Sequence, residues 1–197
     1  LDLLKQAFKQ GAILGQQGNA HKCHHNHIFL DPWHENYCWL FSSVLGKPVS
    51  EKKQLELMKA GKQTLEDQFD APVKLFVPPN HLYDSSTLEA ANELSYKYFG
   101  ERGITQTLPY NYKSMIILPE TKISPRLGKQ GQICYLHYDE IPSKREAYNA
   151  LLTRACSFTS IQTREVPSKL ISRNRELVIA AKIARDVLKF PARLLIS

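Results

Sequence analysis

Gly11-Ala-Ile-Leu-Gly-Gln-Gln17-Gly18-Asn-Ala-His21 is the stretch on which the reading of this chain turns. Residues 12–16 make a short apolar run closed in by glycines, which suits a buried strand. The run stops at Gln17-Gly18, and His21, His24, His25 and His27 follow at once. A strand that hands polar side chains to the loop behind it is how an α/β protein builds a site. Its ligands are met at the C-terminal ends of the strands.

Two other segments have the same form. Val73–Val77 reads as a strand, closed by Pro78-Pro79 and followed by Asn80-His81. Gln132–Leu136 reads as a third strand, which delivers His137 beside Asp139 and Glu140. Between and around them the pattern is helical. Residues 2–10 place Leu3, Leu4 and Phe8 on one face, with Gly11 as C-cap. Ser50 caps a helix over 51–69 with Leu55, Met58 and Leu65 facing inward. Asp84-Ser85-Ser86-Thr87 caps another that runs to about Phe99, where Gly100 and Gly103 end it. Short strands are expected at 104–107, Ser114–Leu118 and 157–163, a loop at 119–131 and a helix over 143–156. Pro167 to about Phe190 forms a basic amphipathic helix with Leu177, Ala181, Ala184, Val187 and Leu188 as its apolar stripe. Strands alternating with helices predict an α/β fold with a mostly parallel sheet. The three strand ends then share one rim, with His137 within ~10 Å of His21.

Composition sets the bounds. The chain has 197 residues, of which 43% are hydrophobic and 23% charged, enough for one domain with a sizeable core. No apolar stretch approaches the ~20 residues that span a bilayer, and no signal-peptide pattern opens the sequence. The expected location is the cytoplasm or the membrane periphery. The net charge of +7 favours anionic surfaces, but no zinc-finger spacing or RNA-binding signature accompanies it, so no nucleic-acid partner is expected. A peripheral membrane contact would run through the basic C-terminal helix, which more commonly packs on its own domain. Cys23, Cys38, Cys134 and Cys156 are scattered without C-x-x-C pairing, as free thiols in a reducing compartment would be.

Each constellation has a bland reading beside the chemical one. Gln17/His21 and His21/His25 have the i, i+4 spacing of a metal-binding pair, with an amide at the first position. Cys23, His27, His34 and Cys38 supply a set of structural-zinc ligand types. The bland alternative is an exposed polar loop. Pro78-Pro79 makes a rigid rim that would present Asn80 and His81 to a polar substrate, or it is an ordinary strand exit. His137 beside Asp139 and Glu140 suits a general acid oriented by a carboxylate, or a histidine satisfied at a sheet edge.

In order, Leu1–His21, Phe76–Leu88 and Ile133–Asp139 resemble the polysaccharide deacetylase (NodB-homology, carbohydrate esterase family 4) superfamily, and within it the divergent branch with a Phe-x-Pro-Pro motif. The first segment is similar to the family's G-x-E-I-x-x-H-G-x-x-H strand, the second to its F-x-P-P…T-L stretch, and the third to its late L-H-x-x-D motif. The resemblance covers roughly residues 1–150.

That resemblance implies a (β/α) barrel, here incomplete or distorted, over residues 1–165, with the basic helix of 166–197 packed on it. It implies a metal-dependent carbohydrate amide deacetylase, a hydrolase of C–N bonds other than peptide bonds. Its substrate would be an N-acetylated sugar or a surface polysaccharide precursor, and its cofactor zinc or another divalent metal. His21 matches the second metal histidine, Gln17 stands at the first, and His25 lies one turn on. His137 matches the late acid, with Pro79, Asn80, His81 and Asp139 around the substrate. Phe76 stands where other branches carry arginine, and the family's first-strand Asp-Asp base has no counterpart. A lost general base alone removes roughly 10²–10⁴-fold in rate. The expectation is therefore a deacetylase-like hydrolase that is impaired or inactive. The alternatives are a non-catalytic carbohydrate-binding barrel and a zinc-stapled basic interaction module.

Overall fold

Side-chain caps mark where two helices begin. In a computed structural model, the residues described are 2–9, 11–19, 49–102, 108–122 and 133–135, with short pieces at 145–146, 165–167, 171–173, 176–177 and 180–181. Helix α2 (Glu51–Phe69) starts where the Ser50 hydroxyl accepts from the Lys53 N–H at 3.3 Å. It ends at Asp70, in the left-handed region at φ 51°, whose N–H closes on the Glu66 carbonyl. Helix α3 (Ser85–Glu93) starts with a capping box between Asp84 and Thr87. Helix α1 (Asp2–Lys9) ends at Gly11, at φ 100°, and sets Phe8 edge-on to Phe69 with ring centroids 5.8 Å apart.

The strands are β1 (Leu14–Gln17), β2 (Val73–Val77), β3 (Tyr98–Arg102), β4 (Tyr110–Tyr112), β5 (Met115–Lys122) and β6 (Ile133–Tyr135). They form a six-stranded sheet of order β1-β2-β3-β5-β4, with β6 also paired to β5. All pairings are parallel except that of β4 with β5. The expected mostly parallel α/β architecture is present. Among the described residues the sheet is an open path with β1 at one end. Closure into a barrel is not part of what they display.

Several expectations need correction. The helix expected to reach Phe99 stops at Glu93, and Tyr98–Arg102 is a strand. Ser95, at φ 58°, turns the chain out of the helix. Phe99 is then fully buried, 5.9 Å from Phe76 and 5.0 Å from Tyr83 between ring centroids. Burial of three aromatic rings outweighs the weak helix preference of a Tyr/Phe-rich segment. The loop expected from 119 is strand as far as Lys122. Pro119 lies where the outer edge of β5 changes partner, from β4 at 115–117 to β6 at 120–122. A missing N–H is tolerated at such a break. Strand β4, joined to β5 by a two-residue turn at Lys113-Ser114, is not among the expected elements.

The core lies between the sheet and α2–α3. Phe76, Phe99, Tyr83, Tyr96, Tyr110, Met58, Leu82, Met115 and Ile117 are almost wholly buried there. On α2 the buried stripe is Gln54, Met58 and Gly61, while Leu55 and Leu65 are only half buried. Ile171 also packs into the core, whereas Leu177, expected on an apolar stripe, is 40% exposed and Ala181 is exposed. Residues 103–107, 136–144, 147–164 and the remainder of the C-terminal helix expected to about Phe190 lie outside the described residues.

Candidate site at the C-terminal edge of the sheet

Strand β1 presents two glutamines to opposite sides. Gln16 is buried, and its amide nitrogen donates to the Gly18 carbonyl at 2.7 Å and to the Met58 carbonyl at 3.2 Å. The Tyr96 hydroxyl donates to its amide oxygen. Gly61 leaves the room: a Cβ there would lie 2.4 Å from the Gln16 amide nitrogen. Burial, with a smaller contribution from the Glu66 charge, holds the Tyr96 phenol above its ordinary pKa. Gln16 and Tyr96 thus anchor the exit of β1 to the helix layer. The sequence reading missed both, although an apolar strand containing a glutamine that must be satisfied was a readable sign of such an anchor.

Gln17 faces the other way and is exposed. It pairs in register with Val77 of β2, and the Gly18 N–H donates to the Val77 carbonyl at 3.2 Å. Gly18 has φ 62°, a conformation glycine adopts without strain. The end of the first motif therefore lies beside the end of the second. Beyond Val77, Pro78 and Pro79 are buried and Pro79–His81 form a 3-10 turn. His81 is half buried at φ 59°, and its N–H donates to the Pro78 carbonyl at 2.9 Å. A histidine held in the left-handed region marks a turn fixed by its surroundings. Asn80 lies within the same turn. Phe76, at the position that resembles an arginine of other branches, is buried in the core against Tyr96 and Phe99.

Along the same sheet face, the next strands bring Gly100 and Glu120. A Cβ on Gly100 would sit 2.0 Å from a Glu120 carboxyl oxygen and 3.0 Å from a Val77 methyl. The carboxyl of β5 thus lies across β3 toward β2, in space that only glycine leaves free. Glu120 is 7% exposed, and no hydrogen bond from the described residues reaches its carboxyl. Burial pushes its pKa up to about 7. One register step away, Glu101 faces the helix layer at 0% exposure and accepts from the Tyr83 and Tyr110 hydroxyls, the latter at 2.9 Å. Burial and then the Glu101 charge hold the Tyr110 phenol above its ordinary range. The sequence pattern places Glu120 in a loop, whereas it lies in β5. Its signal, a carboxylate ending an apolar run, is weak until Gly100 is known to lie opposite.

His21, His25, His137 and Asp139 lie outside the described residues, as do Cys23, His27, His34 and Cys38. Strand β6 ends at Tyr135, two residues before His137, and runs parallel to β5. Its exit is therefore at the edge that carries Gln17 and His81. Four strand spacings separate β1 from β6 in the sheet order, about 19 Å if the sheet were flat. Among the described residues, no three His, Cys, Asp or Glu side chains are grouped to hold a metal. Gln17 supplies only a neutral amide, a poor zinc ligand. The described side chains alone do not fit a divalent ion. Among them, no helix is long and apolar enough to cross a membrane.

No family model matches the chain, and no curated protein does. A crystal structure from Mycobacterium smegmatis, provisionally named a polysaccharide deacetylase, is similar to it at a TM-score of 0.42 and 14% identity. The likeness covers 93% of this chain and 59% of that one, so the chain spans less than two thirds of that protein's length.

Proposed function

We propose that the chain is a deacetylase-like hydrolase, impaired by the amide of Gln17 at the first metal position, that acts on N-acylated sugars at the C-terminal edge of its sheet. The observation that carries this reading is the Gly18–Val77 hydrogen bond. It sets Gln17 beside the Pro78–His81 turn, and these are the ends of the two segments that most resemble the deacetylase motifs. Strand β6 exits at the same edge, which supports a place for His137 beside the leaving amine. A shared site across four strand spacings requires the sheet to curl. The reading therefore includes a (β/α) barrel, incomplete or distorted, with the 166–197 helix packed on it.

Within this reading His81, Asn80, Pro79 and Asp139 bound the sugar. A divalent metal such as zinc would have to be held by His21 and His25 beside Gln17. Metal content tests that assignment: stoichiometric zinc lost on His21→Ala but kept in Cys38→Ala supports it, and the opposite result favours structural zinc. Activity is tested by acetate release from N-acetylglucosamine oligomers with added zinc. Failure to release acetate above background, in a folded protein, rejects the hydrolase.

The exposed Gln17 favours one second reading. An amide at that place suits hydrogen bonding to sugar hydroxyls better than metal binding. A chain that binds the oligomers without cleaving them would be a carbohydrate-binding scaffold.

A further inference from the structure

We propose that Glu120, seated in the gap left by Gly100, is a general acid–base residue of this sheet-edge site, where it touches the amide of the bound sugar. The inference rests on the hydrolase reading above and adds a residue that the motif resemblance does not contain.

Three placements support it. Glu120 is near the C-terminal end of β5, at the edge where the motif strands end. It is on the face of Gln17, since its carboxyl and a Val77 methyl both crowd the empty Cβ position of Gly100, and Val77 is the register partner of Gln17. It is also held differently from the neighbouring buried carboxyl. Glu101 is sealed and engaged by two tyrosine hydroxyls, whereas no donor among the described residues engages Glu120. A carboxyl largely withdrawn from water, which no donor among the described residues engages, remains able to take and return a proton near neutral pH.

Among the described residues, the charged groups around it are few. On β3, Arg102 is its register partner but is exposed, and Glu101 points to the opposite face. Strand β2 carries no charge at Val77, and its Lys74 is exposed near the other end. On β5 itself, Lys122 follows two residues later. On β6 the register partner is Ile133, followed by Cys134 and Tyr135.

The step balances without another reagent. The Glu120 carboxylate takes a proton from water as the water oxygen bonds to the amide carbonyl carbon. The carboxylic acid so formed gives that proton to the sugar nitrogen as the C–N bond breaks. The products are a free amine and a carboxylic acid, and Glu120 is a carboxylate again.

The test is the pH dependence of acetate release from N-acetylglucosamine oligomers by the full chain with added zinc, for wild type, Glu120→Gln, Glu120→Asp and Gly100→Ala. The expected result is a loss of about 100-fold or more in kcat for Glu120→Gln with KM nearly unchanged. The limb of the wild-type profile near pH 7 should disappear in that variant and return, displaced, in Glu120→Asp. Gly100→Ala, which displaces the carboxyl, should lose the same limb. Circular dichroism confirms that each variant is folded, and the Asp variant keeps the test valid if Gln does not fold. An active wild type whose pH profile is unchanged in folded Glu120→Gln or Glu120→Asp overturns the assignment and leaves the hydrolase standing. An inactive wild type removes the hydrolase, and this role with it.

Discussion

Gln16 and Gln17 are identical in chemistry and adjacent in β1, yet one is locked and the other open. Gln16 faces the helices and is held by Gly18, Met58 and Tyr96. Gln17 faces away and is exposed. The carboxylates of β3 and β5 repeat the contrast. Glu101, on the helix side, is closed in by two tyrosine hydroxyls. Glu120, on the other face, fills the hollow over Gly100 with no described donor. The pleat alone produces this division, since successive residues of a strand point to opposite faces. One face spends its polar groups on holding the sheet to the helices. The other carries its polar groups, Gln17 and Glu120, near the strand ends. In these strands, parity decides which polar residues tie the sheet to the helices and which do not.

The comparison is broken most severely at Glu101. Glu101→Leu leaves two buried phenol hydroxyls without their acceptor, and denaturant unfolding should show a loss of about 2–5 kcal/mol. If the loss is below 1 kcal/mol, the tyrosine–carboxyl network is not what holds this end of the sheet.

Glu120→Gln should do the reverse. Its carboxyl has a pKa raised from 4.5 to about 7 in the folded chain. The folded state therefore holds the proton more tightly than the unfolded state does. Stability associated with the neutral carboxyl is fully present below pH 4.5 and is lost as pH rises through about 7. The shift corresponds to roughly 3 kcal/mol at alkaline pH. Glu120→Gln, which stays neutral, should be more stable than wild type by up to about that amount at pH 8 and equal to it near pH 4. Parallel unfolding curves for the two proteins at both pH values would contradict this.

A smaller effect is expected at Gly61. A methyl group there meets the Gln16 amide at 2.4 Å. Gly61→Ala should cost about 1–3 kcal/mol through overpacking, offset by up to about 1 kcal/mol of gained helix propensity. The thermal midpoint measures the balance, and a stabilised variant would show that the Gln16 anchor yields easily.

The smallest change in stability is expected at Gln17. Gln17→His alters an exposed side chain and should move stability by less than about 0.5 kcal/mol. Its effect should appear in zinc titration instead, as tighter binding through an i, i+4 pair with His21. Unchanged zinc affinity would separate this strand end from the motif it resembles.

Much of the frame was legible before any coordinates. Ser50 and the polar spacing after it mark α2, and Val73–Val77 before two prolines marks β2 without error, because caps and proline act locally. Strand β3 was hidden because Tyr96–Phe99 follows a helical segment with no breaker residue. Only Phe76 and Tyr83, distant in sequence, make its burial favourable. In the sequence Gly100 reads as a helix stop, since the carboxyl that requires it lies twenty residues later. At the candidate site, a shared edge for Gln17 and Pro78–His81 followed from two strand ends in a parallel sheet, while their direct adjacency came from the pairing of β1 with β2. The Gln16 anchor and the Glu120 seat did not, because each depends on a glycine from another element.

By itself, then, the amino-acid order determined the alternation of strand and helix, and so a parallel sheet whose motif ends collect at one edge. Local capping, the stiffness of proline and the period of the apolar residues are enough for that. Tertiary structure alone decided which of two neighbouring glutamines and which of two glutamates would be sealed. That outcome depends on strand parity, on where Gly61 and Gly100 leave space, and on which distant tyrosines arrive to fill it.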